Sequence, residues 1–240
     1  LWGIGAGIDT LASQAWGAKE YQAIGLVNQR ALLILTLLVN LPVVAIWLNA
    51  TPILLACRQD PDVAEQVQLF AQLRIPGLFA QGLVCCCSKT LQAMGKTRGL
   101  AVVNVLGIVL SVGLAWLFIA ASSPVSHPFP PIAGSALMST LTDVGSAAAL
   151  LLVAACDADC RRCWPGWTRR CLQGWGAYLR LSVPAMLMGI FEWWSWDIVS
   201  FLAGLCPDPQ TALAANALLS SVISLAYALP IGLQAGVQTL

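Results

Sequence analysis

One short segment concentrates groups able to do chemistry. Phe191-Glu192-Trp193-Trp194-Ser195-Trp196-Asp197 sets two carboxylates among three tryptophans. On a helix Glu192 lies one turn from Trp196, and Trp193 one turn from Asp197, each at i,i+4. Glu192 and Asp197 themselves stand about 140° apart around the axis, so they need not line one wall. A carboxylate beside indole faces suits an organic cation, by charge pairing and a cation–π contribution of about 0.5–2 kcal/mol. Desolvation raises a carboxyl pKa, so the same group can take a proton near neutral pH. One acid could then hold either a cation or a proton. The plainer reading is an interfacial tryptophan belt with acids facing headgroups. Position weighs against it for Glu192: Trp194 follows Arg180 by fourteen residues, about 20 Å along a helix.

The other candidates are thinner. Asp143, beside Gly145-Ser146-Ala147, reads as a polar group packed between helices, and Asp9 lies near the end of the first apolar segment. Cys85, Cys86 and Cys87 are contiguous, while Cys156, Cys160, Cys163 and Cys171 have passable zinc spacing. Their juxtamembrane setting favours reduced or palmitoylated thiols, and no metal or other cofactor is expected. His127, the single histidine, lies in a different, proline-rich loop and forbids a His-Glu-x-x-His site. Gly95-Lys96-Thr97 resembles the end of a phosphate loop, but its required first glycine is Thr90. No enzyme is expected.

The elements that must position these groups follow from composition. Of 240 residues, 58% are apolar and 10% charged, with mean hydropathy +0.78. A soluble domain carries about a quarter charged residues, and disorder needs low hydropathy. The formal net charge of +1 leaves no basic surplus for nucleic acid. An integral membrane protein remains. Ala31–Cys57, Gly99–Thr142 and Pro209–Leu240 lack Asp, Glu, Lys and Arg altogether. Dividing at proline, glycine and polar clusters gives a truncated helix over 1–15, then spans near 30–48, 66–87, 99–121, 132–155, 178–204 and 210–238. Pro52 and Pro61 flank one break, and Pro124, Pro128, Pro130 and Pro131 make another.

Basic residues set the orientation. Lys19 and Arg30, then Lys89, Lys96 and Arg98, then Arg161, Arg162, Arg169, Arg170 and Arg180 fall in every second loop. Those ten of twelve mark the cytoplasmic side. Arg58 lies opposite, and Arg74, just inside a span, is expected to snorkel outward. The chain begins at Leu1 and stops at Leu240 inside apolar runs, and reads as a fragment. An internal repeat links the two ends. Gly3-Ile-Gly-Ala-Gly-Ile-Asp-Thr-Leu11 recurs as Gly232-Leu-Gln-Ala-Gly-Val-Gln-Thr-Leu240, each copy with a small-xxx-small pair, Gly3/Gly7 and Gly232/Gly236. The copies lie six helices apart, as parallel repeats of six-helix halves would, a transporter signature.

Several motifs, in order along almost the whole chain, resemble the multidrug and toxin extrusion (MATE) transporters, particularly the animal branch. They are Asp9-Thr-Leu-Ala-Ser-Gln-Ala-Trp-Gly-Ala18, Gln29-Arg30, Arg58-Gln-Asp-Pro-Asp-Val63, Leu91-Gln92 and Trp164-Pro-Gly-Trp167. Further on come Leu179-Arg-Leu-Ser-Val-Pro-Ala-Met-Leu-Met188, Glu192-Trp-Trp194, Ser200-Phe-Leu-Ala-Gly204 and Tyr227-Ala-Leu-Pro230. The resemblance implies an all-α membrane bundle, helices two to eight of a two-lobe, twelve-helix antiporter. Residues 1–155 would belong to the N-terminal lobe, 156–177 to the inter-lobe loop and 178–240 to the start of the C-terminal lobe. It implies export of organic cations and xenobiotics against protons, with the plasma membrane as the expected residence and membrane lipid as surroundings. The key glutamate of the seventh helix maps onto Glu192, with Trp193, Trp196 (usually Tyr), Asp197 (usually Glu) and Tyr227 around it. Asp9, Gln14, Gly3, Gly7, Gly232 and Gly236 become candidates for gating or packing. One departure is Ser221, where the family has a glutamate nine residues before the Tyr-x-x-Pro proline. A lipid-linked or polysaccharide flippase would place basic groups in its cavity, whereas the charges inside these spans are mostly acidic. A seven-helix receptor would not predict the repeat, and its Asp-Arg-Tyr and Asn-Pro-x-x-Tyr motifs are not found in the sequence.

Overall fold

The computed structural model describes residues 1–57, 61–120, 131–164, 166–204 and 209–237. The Arg58-Gln-Asp turn, the proline-rich segment with His127, Pro165 and the last three residues of the repeat lie outside them. So do the side chain of Asp197 and the surroundings of Gly232 and Gly236. Every regular element described is helical: α1 (Trp2–Gly17), α2 (Tyr21–Ile34), α3 (Leu41–Leu48), α4 (Ala50–Ala56), α5 (Pro61–Ala93), α6 (Thr97–Ala115), α7 (Pro131–Cys156), α8 (Ala158–Cys163), α9 (Trp175–Gly204) and α10 (Pro209–Val237). Helix is the form that satisfies backbone groups in lipid. Among the described residues, four helical stretches are long and apolar enough to cross a membrane: Tyr21–Leu48, Pro61–Ala93, Thr97–Phe118 and Ile132–Cys156.

The sequence explains the breaks. A π-helical turn, Leu35–Asn40, joins α2 to α3 just ahead of Pro42. Proline lacks an N–H and crowds the carbonyl four residues back, and widening the helix accommodates both effects. Helix α5 ends at Gly95, whose φ of +70° is costless only for glycine, with Lys96 N–H donating to Leu91 O at 2.9 Å. The Asp157 carboxylate caps α8 by accepting from the backbone of Asp159 (2.9 Å) and Cys160 (3.1 Å).

Two expectations about placement are corrected. The second span starts at Tyr21 rather than 30, so Arg30 is a helical residue and not part of a turn. The third runs from Pro61 to Ala93 rather than 66–87, which puts Lys89 inside it. Charge suggested loop at both places, but each basic group finds a tertiary partner, so the helix need not end there.

Helix α5 is the centre of the bundle, packed along α7 and against α1 and α2. Ile4, Ile8, Ala12, Ile24, Val27, Ala31 and Ile34 form the main core with Cys86 and Tyr178. Outward, Val102, Val105, Leu106, Ile108, Val109 and Val112 leave α6 an exposed aliphatic surface suited to lipid. Helix α1 also packs against α9 through glycines. A Cβ on Gly3 would meet Met186 Cα at 2.5 Å, and one on Gly7 would collide with Ser182 and Tyr178. Between those glycines the buried Tyr178 hydroxyl donates to Ile4 O at 2.7 Å.

The segment joining α8 to α9 is tied down rather than loose. Gln29, fully buried on α2, donates to Gly166 O at 2.7 Å and accepts from Thr168 N–H at 3.4 Å. Arg30 reaches Arg170 O at 3.5 Å, and the Trp175 indole N–H donates to Cys171 O at 2.8 Å. A short 3₁₀ turn, Arg169–Leu172, leads to Gly174, whose φ is +78°.

Candidate functional site

Helices α9 and α10 form an antiparallel pair held by two polar rungs. Asn216 Nδ2 donates to Ser200 Oγ at 2.9 Å, and the Tyr227 hydroxyl donates to Glu192 Oε1 at 2.9 Å. Residue numbers rise on one helix as they fall on the other, so the rungs share one register. Glu192 stands seventeen residues into α9, about 25 Å from its start. Each helix carries an internal proline, Pro184 in α9 and Pro230 in α10, and runs on through it. Glu192, Trp193, Trp196 and Tyr227 are all exposed, with Trp193 at 73%. The structure thus joins Glu192 to Tyr227, two residues singled out separately in the sequence. Trp196 lies one helical turn beyond Glu192 on α9, while Trp193 is the next residue and projects about 100° away. Ser221 turns its hydroxyl back to Ala217 O at 2.9 Å.

Two other acids, Asp143 and Asp9, have cationic partners. Arg74 Nη1 and Asp143 Oδ2 are 2.7 Å apart, with side chains 17% and 24% exposed, between α5 and α7. This corrects the snorkelling expectation for Arg74: a desolvated guanidinium gains more from a carboxylate within reach than from extension to water. Asp143 is accordingly an inter-helix packing group. Lys89 Nζ meets Asp9 Oδ2 at 2.6 Å, joining α5 to α1. Asp9, Thr10, Ser13 and Gln14 line a small polar cavity with Gln92. Asn216 and Ser200 were not singled out as site residues. Their signal was an amide and a hydroxyl in mostly apolar helices.

Outside the spans, Lys96 bonds both Asp157 and Asp159, the latter at 2.7 Å. Its hydrogen bond holds the Asp157 carboxyl below the usual range against a smaller desolvation effect. Burial, reinforced by the Asp157 charge, pushes the Cys160 thiol up to about 12. Cys163 and Cys171 are buried and Cys156 is exposed, all as free thiols.

Comparison with known proteins decides the family. The family model described as MatE matches residues 1–117. Multidrug and toxin extrusion protein 2 of Mus musculus is 37% identical over 231 residues, covering 96% of this chain. The chain belongs to the MATE family. Multidrug and toxin extrusion protein 1 of Danio rerio is 34% identical over 96% of this chain, and Protein DETOXIFICATION 49 of Arabidopsis thaliana is 28% identical over 100% of this chain and 46% of its own length. The crystal structure of the eukaryotic MATE transporter AtDTX14 superposes with TM-score 0.84 at 24% identity, covering 99% of this chain and 52% of that one. The bundle is therefore part of the two-lobe MATE transporter fold, in an integral membrane protein. The chain spans 39% of the mouse relative and 38% of the zebrafish one.

Proposed function

We propose that the protein containing this chain is a proton-coupled antiporter that exports organic cations and xenobiotics, with Glu192 as the exchanging group. One observation carries the reading. Asp9 and Asp143 each hold a basic residue, whereas Glu192 has no basic partner among the described residues and accepts only from the neutral Tyr227 hydroxyl. An acid already neutralised by Arg or Lys is a poor site for a second cation or a proton. An acid held by a neutral donor keeps its charge for a ligand, and Tyr227 aims it without cancelling it. Trp196, one turn beyond, and Trp193 beside it supply indole faces for a cation. Proton and drug then compete for one carboxylate, and each shifts the conformational equilibrium only by its differential affinity for the two states.

The rest of the reading follows the same logic. Residues 1–155 belong to one lobe and 178–240 to the other, related by the repeat of Gly3–Leu11 at Gly232–Leu240, with the basic loops in the cytoplasm and the plasma membrane as residence. Asp197 is a second acid of the same site. The close approach of α1 and α9 at Gly3 and Gly7 is a seal at the cytoplasmic side.

The test uses the full-length protein, with uptake of a labelled organic cation driven by an imposed outward proton gradient. Glu192→Gln keeps the shape and removes the charge, so transport collapses while surface expression stays normal. Wild-type-like, pH-dependent flux through Glu192→Gln overturns the assignment.

A further inference from the structure

A second cavity, apart from Glu192, lies at the end of the molecule where the basic residues gather. It has a volume of about 410 Å³ and is walled by α2, α5, α7 and the short α8. That is within the range of roughly 300–1,000 Å³ typical of small-molecule sites. Its walls are mostly apolar: Ile24, Leu91, Met94, Leu151, Ala154 and the partly exposed Trp164. Cys87, Cys160 and Cys163 add thiols, and burial keeps the Cys160 thiol protonated. Thr90 is turned inward, its hydroxyl donating to Cys86 O at 2.8 Å.

One charged residue lines this cavity, Arg161. Its surroundings leave it uncompensated. The two nearest acids in sequence, Asp157 and Asp159, are both held by Lys96. Arg162 lies over the Tyr21 ring at 5.6 Å. The exposed Arg161 side chain makes no ion pair or hydrogen bond among the described residues. An apolar chamber with one spare guanidinium suits a ligand with an aliphatic body and an anionic head. The position specifies it further. The cavity sits at the end of the bundle where α5 and α7 terminate, and its rim residues Leu151 and Ala155 are exposed on a helix able to span a membrane. That end carries the basic loops, which places it at the cytoplasmic leaflet, where anionic lipids are enriched.

We propose that this cavity binds an anionic phospholipid of the inner leaflet, one acyl chain lying along Leu91, Leu151 and Ala154 and the headgroup phosphate on Arg161. The site is separate from Glu192 and does not depend on which substrate is exported. A lipid wedged here would fix α8 against α2 and α7, and with it the start of the segment leading to α9.

The test uses full-length protein in nanodiscs containing phosphatidylserine or phosphatidylcholine, each with a photoactivatable group in the acyl chain, and maps labelled peptides by mass spectrometry. Labelling concentrates on the Cys87–Met94 and Leu151–Ala155 peptides, and unlabelled phosphatidylserine competes it away. Arg161→Gln lowers the preference for phosphatidylserine over phosphatidylcholine by about fivefold, the weight of one basic residue at an anionic surface. Ala154→Phe fills the chamber and removes labelling with either lipid. Because Ala154→Phe could also disturb folding, competition on the unmodified protein is the independent measurement. Labelling spread evenly over the exposed faces, or unmoved by competing lipid, overturns the proposal. So does an unchanged lipid preference in Arg161→Gln. Competition by millimolar inorganic phosphate as strong as by lipid would make this a simple anion site, and that too overturns it.

Discussion

The Arg74–Asp143 pair gives the sharpest account of what holds α5 to α7. The two charges meet at 2.7 Å with side chains only 17% and 24% exposed, twelve or thirteen residues inside their helices. That is about 18–20 Å from the helix ends, too deep for either to be well solvated in lipid. Asp143→Asn removes one charge, keeps the shape and strands the guanidinium. Breaking a buried pair from one side costs about 3–5 kcal/mol. Residual exposure brings the expectation to about 3 kcal/mol. Replacing both, as Arg74→Met with Asp143→Leu, leaves no stranded charge and should cost less than about 1 kcal/mol. The neighbouring bond from Thr140 Oγ1 to Leu73 O, at 2.8 Å, keeps the two helices in register in either variant. The assay is thermal stability of the full-length protein, followed by loss of its monodisperse chromatographic peak. The single variant should melt several degrees lower and the double near wild type. If instead the double melts as low as Asp143→Asn or lower, a stranded charge is not what the single variant suffers from, and the reasoning fails.

Three further outcomes are expected. Gly7→Val drives a branched side chain into Tyr178 and Ser182, costing about 1–3 kcal/mol by overpacking, and should raise crosslinking-detected separation of α1 from α9; unchanged crosslinking would contradict it. Because Asp157 titrates below its ordinary range, its bond to Lys96 stabilises above about pH 4 and is lost as pH falls through the lowered value. Lys96→Met should therefore destabilise at neutral pH, and its effect should shrink as pH falls below about 4 and toward the lowered Asp157 value, measured as acid-tolerant protease cleavage near α8. Maleimide at pH 8 should label exposed Cys156 well before Cys160 or Cys163, and equal rates would show that the α8 thiols are not buried.

The number and order of the long helices were legible in the sequence because the signals there are local. Apolar runs, prolines and the Gly95 turn each act within a few residues. The partners of Arg74, Lys89 and Arg30 were not legible. Each bond closes between residues 69 to 140 positions apart, and a lone basic residue looks the same whether it meets water or a distant carboxylate. The site was half legible. Glu192 stood out by its tryptophan neighbours and Tyr227 by family resemblance. Their hydrogen bond depends on the register of α9 against α10, which Asn216 and Ser200 also help to set, and no periodicity in either helix encodes it.

The bonds made by Gln29 and Arg30 have a mechanical consequence. Residues 157–174 number eighteen, enough slack, if extended, to let the helices they join drift about 60 Å apart. Almost none of that slack exists. Helix α8 takes up the first part, the Gln29 amide clamps positions 166 and 168, and Arg30 touches the 3₁₀ turn just before the exit. Only Gln173 and Gly174 remain between that turn and the first residue of α9, a leash of about 7 Å. So short a leash leaves the start of α9 little room to slide, and the packing of Tyr178, Ser182 and Met186 on α1 holds the same end. A few degrees of tilt there move the helix's foot hardly at all, yet swing Glu192, about 25 Å out, along a measurable arc. The fold converts a connector of considerable length into a pivot, and places the unpaired carboxylate well out along the lever.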